Sequence, residues 1–183
     1  MKKLSLIMVL GFILIMSACG QKVEPRAINE KTDTCAVCNM AVMDNQFATQ
    51  IVLDNGKSMM FDDIGCMYTW MKENKDQKLK AQFVRDYHTK EWVPSEEANY
   101  VYDKSIKTPM AYNVVSFENE KEASQFAKKH DTSTLTYDKL KSHKWEMNKE
   151  QMNDMKGEMK HSHDENGEMK EMDGMDSHDN SHQ

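Results

Sequence analysis

The sequence predicts an α+β fold in which two tandem β-β-α-β units form one small sheet-and-helix domain. Three observations carry this. The windows IGCMYTWMKEN and ENEKEASQFAKKH space their apolar residues as a helix does. Each follows two strand-like runs and precedes one more. Phe61 and Phe117 close corresponding runs, and Trp70 and Phe126 fall at the same distance beyond them, which suggests an internal duplication. A single mixed sheet with no repeat is the alternative.

The elements follow in order. FATQIVLD runs into Asp54-Asn55-Gly56, a hairpin signal, and KSMMFDD is the returning strand. Asp62 or Asp63 is a suitable N-cap for the first helix, whose apolar face holds Ile64, Met67, Tyr68 and Met71. KAQFVRDY is the strand that completes the first unit. HTKEWVPSEEA reads as a connection with a tight turn and an edge strand. ANYVYD and AYNVVSF open the second unit, whose helix shows Ala123, Phe126 and Ala127 on one face, and TLTYDKL reads as its last strand. Of the neighbours Met59 and Met60, one must face the core and the other away from it. His88, His130 and His143 look like surface residues.

Both ends of the chain lie outside this pattern. Lys2 and Lys3 followed by LSLIMVLGFILIM have the layout of a secretory signal over residues 1–18. Its apolar core is shorter than the about 20 residues a spanning helix needs. The ending M-S-A-C-G resembles a bacterial lipobox, in which Cys19 is lipidated and becomes the mature N-terminus. Residues 19–34 read as a lipidated polar tether, 35–145 as the folded domain, and 146–183 as a disordered, acidic, Met/His-rich tail. Residues 147–183 hold seven of the 17 methionines together with His161, His163, His178 and His182. They have no Val, Ile, Leu, Phe, Tyr or Trp, so they cannot bury enough apolar surface to offset chain entropy. Methionine and histidine at that density suggest metal binding.

The net charge of −6 offers phosphates no basic stripe, which argues against nucleic acid as a partner. Four cysteines are too few for a disulfide-dense scaffold. No Ser-His-Asp set, phosphate-cradling glycine loop or evident acid/base carboxylate pair points to an enzyme.

The sharpest local feature is Cys35-Ala36-Val37-Cys38-Asn39-Met40. Thiolate and thioether are soft donors that select Cu(I). A structural disulfide, a thioredoxin-type redox pair and half of a zinc site compete with that reading. The redox motif should open a helix, whereas this one follows a polar segment. Zinc needs four ligands, and the domain offers no second C-x-x-C or H-x-H. Cys66 on the first helix and Met110, stiffened by Pro109, are further sulfur donors.

C-A-V-C-N-M-A-V, F-A-T-Q-I, D-N-G-K followed by M-x-F-D-D-I-G-C-M, and T-P-M-A-Y-N-V-V-S-F together resemble the NosL family of nitrous oxide reductase accessory lipoproteins. The resemblance covers roughly residues 16–140 and includes the lipobox. It implies two β-β-α-β units and a Cu(I) chaperone anchored by lipid to the outer face of the cell membrane. It also implies partners: nitrous oxide reductase, whose copper-sulfide centre is assembled, and an ABC-type maturation system. The family's metal-linked positions fall on Cys35, Cys38, Met40 and Met110. Asn39 stands where the family usually has Gly. A general copper-tolerance lipoprotein and a thiol-disulfide or organometal-processing enzyme remain as other readings of the same cysteines.

Overall fold

The computed structural model describes residues 22–154. The signal, the lipidation candidate Cys19 and most of the Met/His tail lie outside them. Among the described residues, no helix is long and apolar enough to cross a membrane.

The first unit comprises β1 (Thr49–Leu53), β2 (Ser58–Phe61), α1 (Ile64–Glu73) and β3 (Leu79–Arg85). The hairpin turns at Gly56, whose φ of 83° needs a residue without a Cβ. A short edge strand, β4 (Trp92–Pro94), completes a four-stranded sheet of order β2-β1-β3-β4. The second unit comprises β5 (Asn99–Tyr102), β6 (Val114–Phe117), α2 (Glu120–Lys129) and β7 (Thr134–Leu135), in a sheet of order β6-β5-β7. Both units have one topology: the first strand is central, its hairpin partner lies on one side, and the strand after the helix lies on the other. Every paired strand is antiparallel. The aromatic spacing has a matching physical basis. Phe61 packs on Trp70 with ring centroids 6.1 Å apart, and Phe117 on Phe126 at 5.1 Å.

The second sheet is buried on both faces. Tyr100 and Val114 belong to the core shared with α1 and the first sheet, whereas Val101, Val115 and Phe117 pack under α2 with Ala123 and Ala127. Period-two alternation produces this division. The sheets are joined where Asp86 bridges Ser116 in parallel and the Ser116 hydroxyl donates to the Arg85 carbonyl at 2.7 Å.

Four sequence expectations change. TLTYDKL is not one strand. Only Thr134 and Leu135 pair, and the Thr136 hydroxyl then caps α3 (Tyr137–Lys141). The segment read as a tether is docked from Arg26 onward. Arg26 pairs with Asp33 at 2.7 Å, and the buried Gln50 side chain bonds both the N–H and C=O of Arg26. The start of the expected disordered tail is also packed. Residues 149–154 are helical, Asn148 donates its N–H to the Ala111 carbonyl at 2.8 Å, and buried Gln151 accepts from Asn113. Of the three domain histidines expected on the surface, His88 is exposed, but His130 and His143 are half-buried against aromatic rings, His143 lying 4.8 Å from Tyr102 and 4.9 Å from Trp145.

Candidate metal centre

Residues 34–41 form a tight knuckle. Thr34 and Ala41 bridge across it, Cys35 N–H donates to the Met40 carbonyl at 2.8 Å, and Asn39 N–H donates back to the Cys35 carbonyl at 3.0 Å. Closing the knuckle places Asn39 at φ 60°. Asparagine is the side chain that best tolerates this left-handed region after glycine, so the departure from the family's glycine keeps the turn. Ala36 N–H donates to the Met60 carbonyl, which fastens the knuckle to β2. Cys35 is fully buried, Cys38 half-buried, and Met40 exposed at 48%.

The junction between β2 and α1 supplies the opposite side. Asp63 is the N-cap of α1, and its carboxylate accepts from Gly65 N–H at 2.9 Å. It also accepts from the Thr108 hydroxyl at 2.7 Å and Met110 N–H at 3.0 Å, so one buried carboxylate fixes both the helix start and the Met110 loop. Burial pushes Asp63 up to about 6 against the pull of those three donors. Ala111 follows Met110 in the left-handed region at φ 55°. Gly65 is required here for space. A Cβ on it would lie 2.0 Å from Cγ of Tyr112, whose ring rests on the first turn of α1.

Cys66, one turn into α1, points back at the knuckle. The ligand atoms of Cys35, Cys38, Cys66 and Asp62 lie within 4.8 Å of one another. All three cysteines are free thiols. The Cys38 thiol donates to Asp62 Oδ2 at 3.3 Å. The Cys66 thiol beside Cys35, followed by the backbone N–H groups of Cys38, Asp62 and Val37, holds Cys35 down at about 4 against desolvation. Burial pushes Cys38 up to about 12, and the hydrogen bond to Cys35 together with burial pushes Cys66 up further. Burial and the neighbouring Cys35 thiolate raise Asp62 to about 6. The cluster therefore favours the negative charge on Cys35 over Cys38 and Cys66.

Of the candidate residues, the structure brings Cys35, Cys38 and Cys66 together. Met110 packs on the apolar cluster that contains Cys35 and Cys66, and Met40 sits on the knuckle facing solvent. Met67 is fully buried core, and Met60 is the core member of its pair. The sequence does not single out Asp62, because either of the two adjacent aspartates can serve as the helix cap. The signal was available: one helix needs one N-cap, which leaves the second carboxylate without a task.

The sequence profile of the NosL family matches residues 25–145. No curated protein matches the chain. The fold is similar to a solved structure of the copper chaperone NosL from Shewanella denitrificans, with a TM-score of 0.56 and 16% identity, covering 63% of this chain and 93% of that one.

Proposed function

The chain belongs to the NosL family, and from that premise we propose that it is a Cu(I) chaperone, held on the extracytoplasmic face of the membrane through lipidated Cys19. It serves assembly of the copper-sulfide centre of nitrous oxide reductase, in company with an ABC-type maturation system. The observation that carries the copper reading is the convergence of the Cys35, Cys38 and Cys66 sulfurs within 4.8 Å of one another, with Met110 packed on the same apolar cluster and Met40 on the knuckle that bears two of the cysteines. Thiolates and thioethers are the donors that hold Cu(I), and no single one of these residues forms a site alone.

The burial gradient suits transfer. Cys35 is sealed from water, Cys38 is half-buried, and Met40 and Met43 are exposed thioethers on the same loop. A partner's ligand can reach the metal from the Cys38–Met40 side while Cys35 still holds it. Copper then passes through a shared intermediate without becoming free. In this reading Cys35 and Cys38 supply thiolates, Met110 and Met40 supply thioethers, and Cys66 sustains the Cys35 thiolate. The lipid anchor confines the search for partners to the membrane surface and raises their effective concentration. The Met/His tail adds a weaker copper reservoir.

The same gradient disfavours a thiol-disulfide enzyme. A nucleophilic thiolate must meet its substrate, but the thiolate here is the buried Cys35, and the accessible Cys38 is held protonated. Titration of the reduced chain with Cu(I) against a competing chelator tests the proposal. One tight equivalent that survives removal of residues 155–183 and is lost in Cys35→Ser supports it. A tight site that disappears with the tail would instead make the protein a copper-tolerance sponge. Turnover of a disulfide substrate without copper would favour the enzyme.

A further inference from the structure

We infer a second metal-binding mode at this cluster: Cys35, Cys38, Cys66 and the Asp62 carboxylate form a tetrahedral three-sulfur, one-oxygen site for a thiophilic divalent cation of the zinc class. It shares Cys35 and Cys38 with the Cu(I) site proposed above and goes beyond that reading through two donors, Cys66 and Asp62, and a metal the reading does not use.

The sequence offers only half of a zinc site, the C-x-x-C pair. The fold supplies the other half from a distant stretch, because the β2–α1 junction presents Asp62 and, one helical turn later, Cys66. The four ligand atoms lie within 4.8 Å of one another. A tetrahedral zinc centre with about 2.3 Å bonds to sulfur sets its sulfurs about 3.8 Å apart. Contraction by about 1 Å, within the reach of side-chain rotation, closes the shell.

The decisive atom is Asp62 Oδ1. The residue is only 6% exposed, and this oxygen is buried with no hydrogen-bond partner among the described residues. The donors that reach its carboxylate are weak ones, the thiols of Cys38, at 3.3 Å, and Cys66. Among the described residues no salt bridge reaches Asp62. A buried carboxylate is normally paired, fully hydrogen-bonded or bound to a metal. Its neighbour Asp63, with three donors, shows what satisfaction looks like in this same structure. Asp62 has no such set and faces three sulfurs.

Donor softness separates the two modes. A carboxylate oxygen is a poor ligand for Cu(I) and an ordinary one for zinc, whereas a thioether is the reverse. Cys35 and Cys38 are therefore common to both, Met40 and Met110 belong to Cu(I), and Asp62 and Cys66 belong to the divalent cation. Four anionic donors are also better neutralised by two positive charges than by one. The divalent mode is closed, with all four positions filled by protein, while the Cu(I) mode stays open toward Met40.

Co(II) titration of the reduced full chain reads the site directly. The expected result is one Co(II) per chain with intense tetrahedral visible bands and thiolate-to-cobalt charge transfer, erased by Zn(II). Histidines of the tail give no thiolate band. Chelator competition then measures Zn(II) and Cu(I) affinities in two variants. Asp62→Asn, which keeps the side chain's shape, should lower the Zn(II)-to-Cu(I) affinity ratio at least about tenfold, since even outer-shell partners of a metal are worth that much. Met110→Ala should raise the ratio. An octahedral cobalt spectrum, absence of the thiolate band, or an unchanged ratio in Asp62→Asn overturns the inference. Should Asp62→Asn fail to fold, Cys66→Ser replaces it, and an undiminished thiolate band in that variant overturns the inference equally. Loss of tight Cu(I) binding with the cobalt spectrum intact would instead defeat the chaperone reading and leave this one standing.

Discussion

The distribution of charge among the three thiols makes Cu(I) affinity depend on pH in a specific way. At neutral pH Cys35 is already a thiolate, held at about 4, so binding copper to it displaces no proton. Cys38, held at about 12, is protonated and must lose its proton before it can ligate. The sign follows directly. A proton expelled on binding means that affinity rises with pH, and one proton gives a factor of about ten per pH unit, or about 1.4 kcal/mol. Asp62 and Asp63, both near 6, are largely ionised above about pH 7 and add little to the slope there.

The test is a Cu(I) chelator competition on the mature chain at several values between about pH 7 and pH 9, with the chelator's own protonation corrected. A plot of log affinity against pH should have slope one. In Cys38→Ser the slope should vanish and the affinity at the upper end should fall most. A flat profile in the unsubstituted protein would show that copper is held by Cys35 and thioethers alone, and would remove Cys38 from the ligand set. A slope of two would show that a second thiol gives up a proton, which contradicts either the resting thiolate on Cys35 or the spectator role given to Cys66.

Three further outcomes follow from the packing. Gly65→Ala drives a methyl group into the Tyr112 ring and should cost about 1–3 kcal/mol in urea unfolding; an unchanged midpoint would mean the ring is free to move away. Asp63→Ala removes the α1 cap and strands the buried Thr108 hydroxyl, so a loss on the order of 3 kcal/mol is expected in the same assay, together with weaker Cu(I) binding as the Met110 loop loosens. Truncation after Asp154 should lower total copper capacity and leave both stability and the one tight equivalent in place. Truncation after Trp145 should also destabilise the domain, because it removes the Asn148–Ala111 and Gln151–Asn113 bonds; equal melting of the two truncations would refute the docking of residues 146–154.

The sequence carried the architecture further than it carried the site. Hydrophobic period located both helices, the Asp-Asn-Gly turn fixed the first hairpin, and the matched Phe–Trp and Phe–Phe spacings exposed the repeat as packed aromatic pairs. The misreadings share one physical cause, which is that polar contacts leave no periodic trace. Gln50, Asn113 and Gln151 are buried polar side chains that dock the chain ends by hydrogen bonds, and nothing in the local pattern of EPRAINEK or MNKEQMND distinguishes a docked strand of chain from a solvated one. The strand reading of TLTYDKL failed similarly, since the Thr136 cap outweighs the β-rich composition after two paired residues. Cys66 was visible as a helix residue, but its meeting with Cys35 depends on the knuckle being pinned to β2 through the Ala36–Met60 bond, a contact between residues far apart in the chain.

Asp62 and Asp63 show how one dipeptide builds the centre. They follow Phe61, the last residue of a strand, where successive side chains point to opposite sides. The chain must also turn there into a helix that needs one cap. Asp63 takes the cap, and its side turns inward to Thr108 and Met110. Asp62 faces the cysteine knuckle instead, its Oδ2 accepting from the Cys38 thiol at 3.3 Å. The helix that Asp63 starts brings Cys66 around to the same side one turn later. A single strand-to-helix junction thus places a carboxylate, a thiol and the anchor of a thioether loop around Cys35. The two adjacent aspartates thus divide the work, one holding the fold and the other facing the sulfurs.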